Sequence, residues 1–185
     1  MTATQWDGIG QKGNPSWYLD PLVAAQKREA HLACARRWWP NSIPKRLLKT
    51  DLFEEAYGQD CLLPDLSCGA TLTIGMDVAF TTVHNASGQF GASVRFLTAD
   101  VRSLPFCSES IDLFFSNSTL DHFESAGEFR QAVGELARVL SPGGRLIVTL
   151  DNPWNPLYHP LRWASRLRRA PFSLGYTTSR AGLAR

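Results

Sequence analysis

The sequence lacks any run of about 18 consecutive apolar residues, so it predicts no helix that crosses a membrane. Its first 17 residues also lack a basic segment followed by an apolar one, so no secretory signal is expected. Neither sign of charge is in excess, because 19 Lys and Arg residues stand against 17 Asp and Glu residues. These absences favour a cytoplasmic protein with no membrane span and no nucleic-acid partner.

Cysteine is also scarce, and it is poorly spaced for metal binding. The four cysteines are Cys34, Cys61, Cys68 and Cys107, and no two of them have the C-x-x-C spacing that is typical of zinc sites. We therefore expect no metal site and four reduced thiols.

The sequence does contain enough apolar material for one folded domain, with 44% hydrophobic residues in a chain of 185. Residues 1–18 show no apolar period and predict a flexible N-terminal arm. Residues 19–155 predict one domain that opens with a helix, because Asp20 can cap that helix and Pro21 suits its first position. Residues 156–185 predict a C-terminal helix and loop.

Five short apolar segments alternate with connections long enough for helices. The predicted strands are Arg46–Phe53, Ala70–Ile74, Val94–Leu97, Ile111–Phe115 and Arg145–Leu150. The best-marked helix begins at a capping box formed by Ser125 and Glu128, and the Pro142-Gly143 turn ends it. This alternation predicts an α/β fold with a doubly wound, mainly parallel sheet. Ligands bind beyond the carboxyl ends of the strands in such sheets.

Three carboxylates follow three successive strands at that edge, namely Asp51, Asp77 and Asp100. A carboxylate after the second strand can accept both hydroxyls of a ribose, and one after the third strand can accept an adenine amine. Any one of them could instead form a turn or cap a helix. Because three occur at successive strand ends, we favour a binding edge.

Polar residues also follow the fourth strand. Ser116 and Asn117 stand at its mouth, and Asp121 and His122 form an adjacent pair of a carboxylate and an imidazole. Because its pKa lies near neutrality, an imidazole can take a proton from a substrate, so His122 or Asp121 is a candidate catalytic proton acceptor. The alternative is that these side chains only cap a loop, and the sequence leaves both interpretations open.

The sequence resembles the class I S-adenosylmethionine-dependent methyltransferases, of the type 11 kind, in the stretches VRFLTADVRSLPFCSESIDLFFSNSTLDHF and ELARVLSPGGRLIVTLDNPWNPLY. The similarity spans about residues 45–155 and rests on the A-D-V-x-x-L-P-F segment and the L-x-R-V-L-x-P-G-G turn. It implies a Rossmann-like fold, S-adenosylmethionine as the cofactor and a small-molecule methyl acceptor.

The resemblance also implies roles for individual residues. Asp77, with Val78 beside it, would hold the ribose hydroxyls. Asp100 would contact the adenine amine, and Val101 would offer its backbone amide. The residues that would face the transferred methyl group are Ser116 and Asn117.

The sequence departs from the family at the loop after the first strand. The family has D/E-x-G-x-G-x-G there, and this chain has Lys49-Thr50-Asp51-Leu52-Phe53-Glu54-Glu55. Glycines at this loop let the backbone approach the cofactor closely. In one interpretation the loop binds the cofactor differently, with Asp51 or Glu55 at its ammonium, Lys49 at its carboxylate and Thr50 alongside. In the other, cofactor binding is lost and the chain is a catalytically inactive or truncated methyltransferase-like binding module.

A second departure concerns the end of the sheet. The family sheet has two further strands beside strand five, and no such pair is visible after Leu150. An open apolar edge invites pairing, so we expect the C-terminal segment to cover it, the protein to self-associate through it, or the chain to be a shortened version. That segment contains a basic cluster, which we interpret as a solvated helix face. It consists of Arg162, Arg166, Arg168 and Arg169.

Overall fold

The computed structural model describes residues 3–11 and 20–151, together with residues 154, 156, 160 and 163. The helices are α1 (Ala3–Gln11), α2 (Pro21–Trp38), α3 (Phe53–Tyr57), α4 (Leu63–Cys68), α5 (Phe80–Phe90) and α6 (Ala126–Val139). The strands are β1 (Arg46–Thr50), β2 (Leu72–Asp77), β3 (Arg95–Thr98), β4 (Ile111–Asn117) and β5 (Leu140–Thr149). Within these residues, no helix is both long and apolar enough to cross a bilayer. Apart from the single residues named, the predicted C-terminal helix and its arginine cluster lie outside the described part of the chain.

All five strands are parallel and lie in the order β3-β2-β1-β4-β5, which confirms the predicted fold class. In the middle of the sheet, Leu48 of β1 lies opposite Ile74 of β2 on one side and Phe114 of β4 on the other. The chain builds outward from β1 to β3 and then returns to add β4 on the other side of β1. The strand order therefore reverses between β1 and β4, where open α/β sheets bind their ligands.

Alternation of side chains along the strands gives the sheet two buried faces. Leu47 and Leu48 are consecutive residues of β1, so they point to opposite faces. Leu48 packs in a cluster with Leu136 of α6, whereas Leu47 packs in another cluster with Leu32 of α2. A third cluster joins Val83 of α5 to the loop after β1. The helices thus cover both faces, as a doubly wound sheet requires.

The strand ends differ from the predicted ones by a few residues. β1 ends at Thr50 rather than Phe53, because Asp51 leaves the extended conformation with a φ of 64° and Phe53 begins α3. β2 and β4 run further than predicted, to Asp77 and Asn117. The polar residues that were expected to follow these two strands are therefore their last members.

The predicted caps of two helices are present. The Asp20 carboxylate accepts hydrogen bonds from two backbone amides in the first turn of α2. At α6, the Ser125 hydroxyl accepts a hydrogen bond of 3.2 Å from the Glu128 amide. The returning half of the capping box is shifted by one residue, because the Glu128 carboxylate accepts from the Glu124 amide and not from the Ser125 amide.

Residues 3–11, which belong to the predicted flexible N-terminal arm, form helix α1. Asp7 Oδ1 accepts a hydrogen bond of 2.9 Å from the Thr81 amide in the first turn of α5. The Trp6 ring stands edge-on to the His122 ring, with 4.7 Å between the ring centroids. Helix α1 therefore connects α5 with the turn that follows β4, at the edge of the sheet where ligands are expected.

The Ser-Pro-Gly-Gly turn lies inside β5 rather than before it, which also corrects the prediction. Ile111 of β4 pairs with Leu140, but Leu113 pairs with Arg145, so β5 bulges between these two points. Gly143 has a φ of 78°, a positive value that glycine adopts without strain.

Candidate functional site

The carboxyl ends of the parallel strands bring the predicted polar residues to one edge of the sheet. Asp77 ties two of the loops at this edge together. Its Oδ2 accepts a hydrogen bond of 2.9 Å from the Leu52 amide, and its Oδ1 accepts one of 2.8 Å from the Ala79 amide. Val78, next to it, is half-buried. Burial raises the pKa of Asp77 above its usual value, although the two amide hydrogen bonds oppose this shift.

Asp51 stands where the resemblance expects the first glycine of the loop, and its backbone takes the left-handed conformation that glycine favours, with a φ of 64°. Its Oδ1 accepts a hydrogen bond of 2.9 Å from the Phe53 amide, which stabilises the turn into α3. Burial, together with the neighbouring carboxylates of Glu54 and Asp77, raises the pKa of Asp51 well above its usual range. The loop thus keeps a glycine-like backbone turn but adds a carboxylate to it.

Lys49 and Glu55 do not reach the edge, contrary to the expectation that they meet opposite ends of the cofactor's amino-acid group. Both side chains are fully buried, and Lys49 Nζ lies 2.8 Å from Glu55 Oε2. Lys49 also donates to the Asp51 carbonyl, and Glu55 Oε1 accepts from the Leu62 amide. Burial alone would lower the pKa of Lys49, but the facing carboxylates, Glu55 foremost, raise it above its ordinary value.

A second ion-pair cluster was not predicted from the sequence. Lys27 of α2 lies 2.6 Å from Glu54 Oε1 and 3.2 Å from Asp60 Oδ2, and both carboxylates are almost fully buried. Burial opposes the charge of Lys27, yet Glu54 and Asp60 raise its pKa. The helical spacing contained a signal for this contact, because Lys27 follows the buried Ala24 by three residues and so lies on the same face of α2.

Asp100 is held by an arginine two residues away. Arg102 donates to it from the backbone amide, from Nε and from Nη2, the last over 2.6 Å. Although burial acts in the opposite direction, these hydrogen bonds and the charge of Arg102 lower the pKa of Asp100. Val101, which the resemblance places beside the adenine, packs its side chain into the core at 5% exposure.

Thr50 and Ser116 lie on neighbouring strands and bind each other. Thr50 Oγ1 donates to Ser116 Oγ over 2.9 Å and lies 2.7 Å from Thr119 Oγ1. Ser116 has no exposed surface. Thr50 and Ser116, which were both predicted to contact the cofactor, therefore belong to a chain of hydrogen-bonded hydroxyl groups that joins β1 to the end of β4.

The last residues around β4 and β5 contain buried polar atoms without hydrogen-bond partners. Asn117 has no exposed surface, and neither its Oδ1 nor its Nδ2 has a partner among the described residues. Asp121 Oδ2 accepts from the Asp151 amide over 3.1 Å, but within the same part of the chain its Oδ1 is unpaired, as is the Thr149 hydroxyl. Burial and Asp151 raise the pKa of Asp121 despite the neighbouring His122. Thr149 was not predicted from the sequence as a site residue, because its position beside Asn117 depends on the register of β4 and β5.

A sequence profile described as the methyltransferase domain matches residues 56–148, which is half of the 185-residue chain. The chain belongs to the methyltransferase domain family. The match begins after β1 and its loop, so it leaves out the segment in which the family glycines are missing.

Curated relatives of this methyltransferase-family chain differ widely in name. It is 34% identical over 108 residues to a demethylmenaquinone methyltransferase from Thermus thermophilus, covering 57% of this chain and 46% of that protein. It is 28% identical over 111 residues to the biotin biosynthesis bifunctional protein BioHC from Cellvibrio japonicus, covering 60% of this chain and 22% of that protein. The chain thus spans about half, or less, of the length of these relatives.

Solved structures support the same fold. The YcgJ protein from Bacillus subtilis aligns with a TM-score of 0.59 at 26% identity, over 76% of this chain and 59% of that one. The N-methyltransferase NodS from Bradyrhizobium japonicum, solved with S-adenosyl-L-homocysteine, aligns with a TM-score of 0.63 at 18% identity, over 80% of this chain and 72% of that one. At this identity NodS supports the fold alone.

Proposed function

We propose that this chain is an S-adenosylmethionine-dependent methyltransferase that acts on a small molecule. The observation that carries the proposal is the line of polar side chains at the strand-order reversal of a methyltransferase-family sheet. Asp77, Asp100 and Asn117 end or follow the strands on both sides of that reversal. The relatives' names point to unlike acceptors, so the acceptor is not carried over from them.

The residues present fit the nucleoside half of S-adenosylmethionine. Each carboxylate oxygen can accept more than one hydrogen bond, so Asp77 can bind two ribose hydroxyls while it holds the Leu52 and Ala79 amides. Asp100, kept ionised by Arg102, can accept an adenine amine. We assign these two carboxylates to the nucleoside, with Val78 and the Val101 backbone beside it.

The amino-acid and sulfonium end would meet a surplus of negative charge. The ammonium groups of this region are Lys27 and Lys49, and its carboxylates are Asp51, Glu54, Glu55, Asp60 and Asp77. A ligand with a sulfonium and an ammonium suits such a site, because opposite charge nearby favours the charged form of each partner. Asp51 is the residue of this group that we assign to the ammonium. When bound, the cofactor would supply a methyl group on a positively charged sulfur.

The proposed proton acceptor is the pair formed by Asp121 and His122 at the end of β4. Asp121 Oδ1 is buried and has no hydrogen-bond partner in the part of the chain that the structure describes, so it can take up a proton from a methyl acceptor that binds against it. His122 lies against Trp6, which holds the ring between α1 and β4. Positioning of the acceptor would contribute much of the rate enhancement in such a transfer.

Titration calorimetry with S-adenosylmethionine and with S-adenosylhomocysteine tests the donor site. We expect both to bind the full chain, and Asp77→Asn to weaken binding at least about tenfold, since it removes the charge and one acceptor oxygen. Asp65→Asn is the matched control, because Asp65 is an exposed carboxylate paired with Arg28. Absence of binding at millimolar ligand, or unchanged binding by a folded Asp77→Asn variant, would refute the assignment.

A second candidate function is an inactive binding module, and the buried Lys49–Glu55 pair favours it. Glu55 of this pair and Phe53 stand where the family loop has glycines, and Lys49 stands where it has an acidic residue, so the backbone cradle for the cofactor is not formed in the usual way. Consumption of methyl-labelled donor separates the two candidates. Turnover with any acceptor, however slow, would exclude the inactive module.

A further inference from the structure

The unpaired polar atoms at the ends of β4 and β5 form a group of their own. They are both side-chain polar atoms of Asn117, the hydroxyl of Thr149 and Oδ1 of Asp121. Asn117 is 0% exposed and Asp121 is 3% exposed. These side chains are thus removed from water without gaining full hydrogen bonding in return.

The strand register places two of these side chains, those of Asn117 and Thr149, next to each other. Asn117 of β4 is the direct partner of Thr149 of β5, so their side chains lie on the same face of the sheet. That face is the one covered by α2, because Phe115 and Ile147, two residues earlier on each strand, pack in the cluster with α2. Asp121 joins this end of the sheet through its hydrogen bond from the Asp151 amide, two residues beyond Thr149.

This arrangement is unfavourable for folding. A buried donor or acceptor that lacks a partner costs about 1–3 kcal/mol, whereas an apolar side chain of the same shape would avoid that cost. Leu in place of Asn117 and Val in place of Thr149 would fill similar volumes. Stability therefore gives no reason for the polar side chains of Asn117 and Thr149 or for the unpaired oxygen of Asp121, but a ligand that supplies the missing partners does.

We propose that Asn117, Thr149 and Asp121 form the polar subsite that holds the methyl acceptor, and that the accepting atom is a hydroxyl or an amine. The proposal rests on the proposed function and specifies its acceptor. An O–H or N–H group of the accepting atom can donate to Asp121 Oδ1, which leaves a lone pair of that atom free to attack the methyl group. Asn117 Nδ2 and the Thr149 hydroxyl can donate to a neighbouring oxygen of the same molecule. A thiol forms only weak hydrogen bonds and a carbon nucleophile almost none, so both would leave the same atoms unpaired.

Two isosteric variants and one control separate a binding role from a structural one. Thr149→Val and Asn117→Leu remove the unpaired atoms while keeping the volume of the side chain. Thr73→Val is the matched control, because the Thr73 hydroxyl is also buried and unpaired but lies near the amino end of β2, away from the ligand edge. By the argument above, all three variants should unfold at the same temperature as the wild type or higher.

Fragment binding is read from the side-chain amide signals of Asn117 in the NMR spectrum of the full chain, identified by their absence in Asn117→Leu. The probes are benzyl alcohol, benzylamine and toluene, which share a ring and differ in the polar group. We expect the alcohol or the amine to shift these signals and toluene to leave them unchanged. Thr149→Val should weaken that fragment about tenfold, about 1.4 kcal/mol, and Thr73→Val should not.

Three results would overturn the proposal: equal shifts with toluene, no shift with any fragment, or unchanged fragment affinity in Thr149→Val. A marked loss of stability in Thr149→Val would also count against it, because the hydroxyl would then have a structural role. Donor calorimetry is independent of these readouts. Failure of donor binding refutes the proposed function, whereas donor binding without fragment binding refutes only the polar subsite.

Discussion

Asp51 combines a strained backbone with a structural hydrogen bond, and both depend on the identity of one residue. A residue with a Cβ atom in the left-handed region costs roughly 1–2 kcal/mol, a penalty that glycine avoids and that Asp and Asn tolerate better than most. The Asp51 carboxylate offsets part of this cost by accepting from the Phe53 amide. The site thus has a left-handed turn at this position without a glycine.

Asp51→Gly and Asp51→Ala should therefore differ in stability. The alanine variant loses the hydrogen bond and tolerates the left-handed conformation less well than Asp does, so we expect it to lose about 2 kcal/mol in free energy of unfolding. The glycine variant loses the hydrogen bond but relieves the strain, and we expect a change within about 1 kcal/mol. Urea denaturation measures both. Equal losses in the two variants would show that the positive φ of Asp51 is not a source of strain.

Lys49 shows at the same scale why parts of the site could not be predicted. Side chains alternate along β1, so Lys49 points to the face opposite Leu48, the face covered by α2. The burial of the Lys49 side chain could therefore be predicted from the sequence of β1 alone. Its ion-pair partner could not be predicted, because the turn at Asp51 and the start of α3 bring Glu55 to Lys49. The positions of Asp77 and Asp100 at the carboxyl edge of the sheet could be predicted, because each stands at or just beyond a strand end, where chain order alone determines position.

Helix α5 lacks a cap of its own and receives one from another helix. Its N-cap residue is Ala79, whose side chain cannot accept a hydrogen bond. Asp7 of α1 supplies the acceptor for the Thr81 amide instead. No sequence rule for helix caps could detect this, because such rules examine neighbours along the chain and Asp7 is 74 residues away. Helix α1 was missed for a related reason, since its sequence shows no apolar period.

Asp7→Ala should release the first turn of α5. We expect a loss of about 1 kcal/mol in stability, typical of a missing cap, and faster hydrogen exchange at the Thr81 amide. Asp7→Asn is the control, because its side-chain oxygen can still accept from Thr81. If Thr81 exchanges at the same rate in all three proteins, α1 does not cap α5 in solution.

At the scale of the whole molecule the parallel direction of the strands could be predicted, because apolar segments alternate with connections long enough for helices, whereas the strand order was given only by the structure. The outer edge of β5 is less determined. Among the described residues no strand pairs with this edge, and a groove of about 440 Å³ lies between α2 and β5. The groove is lined by Cys34, Trp38 and residues 145–148. Such an edge offers unpaired backbone groups to another strand.

We expect β5 to be covered, either by a second copy of the chain or by residues beyond Asp151. Light scattering after size exclusion would then show a mass above 20.5 kDa in the first case. Hydrogen exchange would show protected amides at residues 145–148 in either case. A monomer with rapidly exchanging amides at the outer side of β5 would contradict the prediction.

The strand order also has a consequence for how the chain folds as it is synthesised. Leu47 of β1 pairs with Leu113 of β4, and the two strands are separated along the chain by β2 and β3. While residues 46–98 leave the ribosome, β1, β2 and β3 can pair, but one edge of β1 has no partner until β4 emerges. Contacts of such long sequence separation form slowly. The central strand of the finished sheet is therefore an exposed edge strand during synthesis, and its Leu47 and Leu48 side chains depend on the late arrival of β4 for part of their burial.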